Sequence, residues 1–222
     1  MKISVQSNLE PVRRQLGALR DQVPFATSVA INDVARKAQA ATPSLFERVL
    51  DRPKPFTTKS AVFVKFSNKA SLEATVGLKD IQARYLAPLL SGEERRQKPV
   101  EQKFMGRYFV PGNGLQLDAY GNVPKSTLLA IVRAVTSGAP IWKGRRVFVV
   151  PDGQRLPAGV YAGDKAKAKK RQNKAEPLLI FAKRAPRYKK VLDFVGEVER
   201  VVRTEFPSAF ERALRRAMET AR

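Results

Sequence analysis

The sequence contains no cysteine and no histidine. Disulfide bonds are therefore excluded, and so are zinc sites built on Cys or His ligands. The commonest general base of enzymes is missing, as is every Ser-His or Cys-His nucleophile pair. The remaining acidic pairs, such as Glu197 with Glu199, have only chance spacing, and the adjacent Lys125 and Ser126 would not face each other on a helix. We therefore expect a protein that is not an enzyme and that needs no cofactor or metal.

Long apolar runs are also missing, and acidic residues are scarce. No window approaches eighteen uninterrupted apolar residues, and the first residues have no apolar core of a signal peptide. We therefore expect a soluble protein that stays in the cell where it is made and has no segment that spans a membrane. The 42 Lys and Arg residues outnumber the 20 Asp and Glu residues, for a net charge of +22. Such an excess favours a polyanionic partner, which DNA, RNA, an acidic protein surface or an anionic membrane could provide; charge alone does not choose among them.

The remaining composition supports one folded core, since 43% of the 222 residues are hydrophobic. Periodicity and turn signals predict a short N-terminal strand, a helix to about residue 20 and a longer helix from Pro24. Further along, the pattern predicts a hairpin, a short helix, an exposed charged connection and a turn-rich region. The predicted ranges for these four are 61–76, 81–90, 93–103 and 109–124. A helix after Pro124, strands near 146–150, 156–161 and 178–182, and a helix over 191–222, interrupted at Pro207, complete the chain.

A basic run stands between the last two predicted strands, within residues 162–177. Ala-Lys alternation gives it no apolar stripe, so we predict an enlarged hairpin loop. From Lys143 to Lys190 there are fifteen basic residues against three acidic ones, a local net charge of +12. The run is either a solvated loop or an electrostatic contact with phosphates or an acidic partner; stacking aromatics are not interleaved in it. Its candidate contact residues are Lys165, Lys167, Lys169, Lys170, Arg171 and Lys174.

The long helices carry apolar stripes at spacings of three and four residues. The N-terminal stripe is mostly alanine, which permits close approach of another element. It is either an ordinary core-facing stripe or a surface between subunits, and both interpretations stay open at the level of sequence. The candidate subunit-packing residues are Ala26, Ala30, Val34, Ala38, Phe206, Phe210 and Leu214.

The two ends of the sequence resemble the prophage minor tail protein Z family of long-tailed bacteriophages. The resemblance lies in Val23-Pro24-Phe25-Ala26 with Ala30-Ile31-Asn32-Asp33-Val34-Ala35, and in the terminal segment from Pro186 that contains Phe206-Pro207-Ser208-Ala209-Phe210. These segments cover about a third of the chain. The order of elements matches over the middle.

The resemblance implies a non-catalytic virion protein that completes the tail and joins it to the head. It implies a homo-oligomeric ring around the DNA channel, in contact with the tail tube or terminator, the head connector and packaged DNA in the channel. The expected location is the neck region of the virion. A sequence-independent nucleic-acid-binding protein that uses residues 165–174 is the alternative.

For the fold, we expect the α+β class, with a small, mostly antiparallel sheet and long N- and C-terminal helices packed on it. We predict a single domain over residues 1–222. It would comprise N-terminal helices (1–50), a strand-rich middle (56–190) with the basic loop (162–177), and a C-terminal helix (191–222).

Overall fold

A computed structural model describes residues 10–103, 106–137, 140–165 and 175–220. They divide into two compact units. The helical unit comprises Met1–Leu86 and Val191–Arg222, and the sheet unit comprises Ala87–Lys190. Both contain helices and antiparallel strands, which confirms the α+β class. The predicted strand near residues 2–6 lies outside the described residues.

The helical unit is built from two long helices and a hairpin. Its elements are α1 (Glu10–Val49), α2 (Pro55–Thr58), β1 (Val62–Lys65), β2 (Thr75–Leu78) and α6 (Phe194–Thr220). A further helix, α3 (Asp80–Ser91), begins in this unit and ends in the sheet unit. The predicted hairpin, the short helix and the long terminal helix are thereby confirmed.

The prediction of two separate helices at the N-terminus is wrong, because α1 runs through Pro24 without a break. Proline removes one N–H donor from the helical ladder, which makes it a frequent helix boundary. Just after it, Thr27 donates its hydroxyl hydrogen to the carbonyl oxygen of Val23 at 2.7 Å. Pro207 likewise lies inside α6, which continues as one helix. Packing of the apolar stripes outweighs the local cost of both prolines.

The apolar stripes of α1 and α6 pack on each other. Ala30, Val34 and Ala209 form a buried cluster, with Phe206 and Phe210 against it. An ion pair at 2.8 Å between Lys37 and Glu205 links the two helices beside this cluster. Asp33 contacts Arg212, whereas Arg48, later in α1, contacts Glu197, earlier in α6. The two helices therefore run antiparallel.

The hairpin packs on α1 through a reciprocal pair of hydrogen bonds. The side-chain amide of Asn32 donates to the carbonyl oxygen of Ser67 at 3.0 Å. The backbone N–H of Ser67 donates to Oδ1 of Asn32 at 2.8 Å. Gln39 donates to the carbonyl oxygen of Val62 at 3.0 Å. These amides satisfy backbone groups near the strands that would otherwise lack a partner.

In its described residues, the sheet unit contains five antiparallel strands, the end of α3 and two further helices. Its elements are α4 (Pro99–Lys103), β3 (Phe109–Pro111), α5 (Lys125–Thr136), β4 (Ile141–Trp142), β5 (Arg145–Val150), β6 (Gly159–Lys165) and β7 (Glu176–Phe181). The strand order is β3-β7-β6-β5-β4. The amphipathic helix α5 places Ile131 and Ala134 in the core with Val147, Val160 and Leu178 of the sheet.

Two features of the sheet unit differ from expectation. The charged span 93–103 is not wholly an exposed connection, because it contains α4 and its Glu101 is fully buried. The turn-rich region contains β3, which pairs with β7. Both elements are short, and their burial depends on partners distant in sequence, which periodicity over a few residues does not reveal.

Candidate functional site

The basic run connects two neighbouring antiparallel strands, as the sequence predicts. Lys165 is the last residue of β6 and Glu176 is the first residue of β7. The two strands pair from Gly159 opposite Ile180 to Ala162 opposite Glu176. The run therefore begins and ends at one end of the five-stranded sheet, which we call the basic end.

The neighbouring hairpin places further cations at the basic end. β4 and β5 are joined by Lys143 and Gly144, with φ angles of 49° and 71°. Positive φ at both central residues is typical of the tightest hairpin turns, and glycine adopts it without strain. Arg145, which follows this turn, is the register partner of Lys165. The turn and the basic run therefore lie at the same end of adjacent strands.

One cation of this end has a structural role. Arg145 donates to the carboxylate of Glu176 at 2.6 Å, and also to the carbonyl oxygens of Gly163 at 2.9 Å and Ala162 at 3.1 Å. The register of β5 on β6 shifts between Arg145 and Val147, beside these two carbonyls. The guanidinium satisfies them and holds the first residue of β7 beside the bulge.

Two other cations remain available to a partner. The side chains of Lys143 and Arg146 are exposed, and no described carboxylate lies within ion-pair distance of either. The ammonium of Lys143 lies 4.9 Å from the ring centroid of Trp142, a cation–π contact that leaves its charge in place. Exposed cations without a carboxylate partner can contact a polyanion without first breaking an ion pair.

Most predicted contact residues of the basic run fall outside the described residues. Lys165 belongs to β6 and pairs through its backbone with Arg145. The others lie in 166–174, which the structure does not describe. They are Lys167, Lys169, Lys170, Arg171 and Lys174.

The candidate subunit-packing residues lie within the helical unit. The four α1 residues are at most 2% exposed, which is the core-facing alternative of the sequence analysis. They are Ala26, Ala30, Val34 and Ala38. Phe206, Phe210 and Leu214 are partly buried on α6, and the two phenylalanine rings stack with centroids 6.1 Å apart. These α1 side chains are therefore occupied by packing within the chain.

Sequence reasoning did not single out Lys143 and Arg146. They were counted only within the general excess of positive charge between residues 143 and 190. A usable signal was present, because Lys143-Gly144 stands between Ile141-Trp142 and the strand that begins at Arg145. A Gly-containing dipeptide between two strand-forming segments indicates a hairpin, and a hairpin turn places its side chains at one end of a sheet.

Two acidic residues, Glu197 of the pair named above and Asp118 of the turn-rich region, have structural partners. A hydrogen bond from Arg200 holds the pKa of Glu197 below its ordinary value, and the side chain also faces Arg48 at 3.8 Å. Asp118 accepts hydrogen bonds from the backbone N–H groups of Tyr120 and Asn122 in a turn. Within the described ranges, no three Asp or Glu residues converge as metal ligands would.

The search for a membrane-crossing helix gave none in the described part of the chain. In comparisons with known proteins, no family model matched the chain, and neither did any curated protein or solved structure.

Proposed function

We propose that this protein is a structural component of a bacteriophage virion. It acts as a minor tail or tail-completion protein, forms a ring at the head-proximal end of the tail, and joins the tail to the head around the DNA channel. The proposal is motivated by the resemblance of both ends of the sequence to the minor tail protein Z family.

The observation that carries the proposal is the concentration of positive charge at the basic end of the sheet. The run that carries Lys167 to Lys174 leaves and rejoins the sheet at this end, where the exposed Lys143 and Arg146 lie. Repeated around a ring, such ends would present a belt of cations to DNA in a channel or to an acidic face of a neighbouring ring. Contact with phosphates independent of sequence suits a conduit, since tight binding to bases would arrest passing DNA.

Electron microscopy of phage lysates tests the proposal. A phage whose copy of the gene carries an early stop codon should give DNA-filled heads beside separate tails. Supply of the intact gene from a plasmid should restore joined, infectious particles. Infectious, complete particles from the mutant alone would overturn the tail-completion role.

A second candidate is sequence-independent binding of nucleic acid by the free protein. It is favoured by Lys143 and Arg146, which are exposed and have no ion-pair partner among the described carboxylates. Binding to a labelled duplex would then fall steeply with salt, because each phosphate contact releases counterions. Replacement of both residues by Gln should lower the salt slope by about 2, near 0.9 for each lost contact. The matched control replaces the exposed Lys79 and Arg84 of the helical unit by Gln and should leave the slope unchanged.

A further inference from the structure

A groove lies between the middle of α1 and the last turns of α6 in the helical unit. Its volume is about 570 Å³. Side chains of both helices line it along nearly three turns. The lining includes Phe25, Val29 and Arg36 of α1, and Ala213, Arg216 and Ala217 of α6.

The groove has an apolar floor and apolar walls. Its floor is formed by small side chains, among them Ala30, Ala213 and Ala217. On the α1 side, the walls are Phe25 and Val29, each 40% exposed. Small residues below and larger apolar residues beside them form a channel that can take apolar side chains of another segment.

The rim of the groove is predominantly cationic. Arg36, Arg212 and Arg216 line it, and the ammonium of Lys69 lies 5.2 Å from the centroid of the Phe25 ring. Among the residues that the structure describes, Asp33 supplies the only carboxylate of the lining.

That carboxylate is already engaged inside the chain. Asp33 contacts both Lys37 and Arg212 at 3.5 Å. Lys69, Arg36 and Arg216 have no carboxylate within ion-pair distance in the described residues. A partner with its own carboxylates would therefore find unmatched positive charge on both sides of an apolar groove.

We propose that this groove docks an amphipathic, acidic helix of a partner protein. Apolar side chains spaced three or four residues apart would enter between Val29 and Ala213, and flanking carboxylates would face Arg36 and Arg216. A second copy of the chain is disfavoured as the occupant, because its net charge is also +22. The groove belongs to a different unit from the basic end, so this inference does not depend on the proposed virion role.

The test uses the full-length protein and a labelled helical peptide of about sixteen residues with leucines at i, i+4 and i+7, flanked by glutamates. Its matched probes are the same peptide with lysine for every glutamate, and an isomer whose leucines are scattered around the helix. Fluorescence anisotropy should detect binding of the acidic amphipathic peptide, and binding of both matched probes should be at least about tenfold weaker.

Protein variants separate the groove from general attraction to a basic surface. Arg216→Glu should weaken binding of the acidic peptide about tenfold, because it places a carboxylate on the rim. Arg203→Glu makes the same charge change at an exposed position of α6 outside the groove and should change affinity less than about twofold. Val29→Ser, which removes an exposed apolar wall without a charge change, should also weaken binding.

Results of two kinds would overturn the proposal. One is equal binding of the acidic amphipathic peptide and its scattered isomer, or equal effects of Arg216→Glu and Arg203→Glu. The other is concentration-dependent dimerisation in sedimentation equilibrium that Val29→Ser abolishes, which would assign the groove to a second copy of this chain.

Discussion

The carboxylate of Glu101 is fully buried and accepts hydrogen bonds from both terminal nitrogens of Arg95, at 2.6 and 2.7 Å. It also accepts the backbone N–H of Lys98 at 2.7 Å and that of Phe109 at 3.3 Å. Lys98 is the N-cap residue before Pro99, the first residue of α4. Glu101 is the third helical residue, and its side chain reaches back to the N-cap N–H as the N3 residue of a capping box does. One side chain thus joins the start of α4 to the start of β3.

Replacement of Glu101 by Gln should destabilise the protein by about 3–5 kcal/mol, because it leaves the Arg95 guanidinium, whose side chain is 13% exposed, without its counter-charge. The amide group of Gln would also direct a donor at groups that already donate. Urea unfolding followed by circular dichroism measures the change. The control is Arg215→Gln, which breaks the exposed pair with Glu211 and should cost less than about 1 kcal/mol. Equal effects of the two substitutions would contradict this role for Glu101.

The same carboxylate should make stability depend on pH in the acid range. Burial acts to raise the pKa of Glu101, but the hydrogen bonds from Arg95, Lys98 and Phe109 outweigh it, and the net shift is downward. A depressed folded-state pKa contributes stability above the unfolded value of about 4.3, and this contribution is lost as pH falls through the folded pKa. The difference in unfolding free energy between the native protein and Glu101→Gln should therefore be full near pH 6 and shrink below about pH 4. Urea titrations across that range test this, and a difference independent of pH would contradict it.

The contrast between Glu101 and the α1 stripe shows which features are readable from sequence. The apolar stripes of α1 and α6 repeat over many turns. This long repetition predicts the packed faces that contain Ala30 and Phe206. Glu101 lies in a short segment rich in charge, where a carboxylate is normally solvated. Its burial depends on the fold bringing Arg95 and the N–H of Phe109 around it, and no local pattern encodes that.

The basic end shows the same division between local and tertiary information. Alternation in the strands flanking the run predicted that it joins two strands, and the antiparallel pairing of β6 with β7 confirms this. That Lys143 and Arg146 also lie at the basic end follows from the register of β5 on β6 and from the positive-φ turn at Gly144. Strand order is a property of tertiary pairing, and a single sequence leaves it open.

Close packing of α1 on α6 should make Ala30 intolerant of a larger side chain. Ala30 is 1% exposed and lies beside Ala209 in the buried cluster. Ala30→Leu should cost about 1–3 kcal/mol, because the added carbons must displace well-packed neighbours. Ala40→Leu makes the same change at an exposed position of α1 and should stay within about 0.5 kcal/mol of the native protein. Thermal unfolding compares them, and a tolerated Ala30→Leu would contradict the close helix contact.

Gly112, just after β3, should tolerate no side chain, because a Cβ atom there would collide with the carbonyl oxygen of Pro177. The N–H of Gly112 donates to Leu178 at 2.9 Å, and the N–H of Gly114 donates to Pro177 at 2.8 Å, so the collision separates β3 from β7. Gly112→Ala should cost about 2 kcal/mol for these two hydrogen bonds, and amide hydrogen exchange at Gly114 should accelerate.

Gly17 provides the matched control for this substitution. A Cβ atom at Gly17 in α1 meets nothing within 4 Å, so Gly17→Ala should stabilise the protein by about 0.5–1 kcal/mol through the lower entropy of the unfolded chain. In urea unfolding, we expect Gly112→Ala to lower the free energy of unfolding and Gly17→Ala to raise it. A neutral Gly112→Ala with unchanged exchange at Gly114 would mean that β3 does not depend on this close approach to β7.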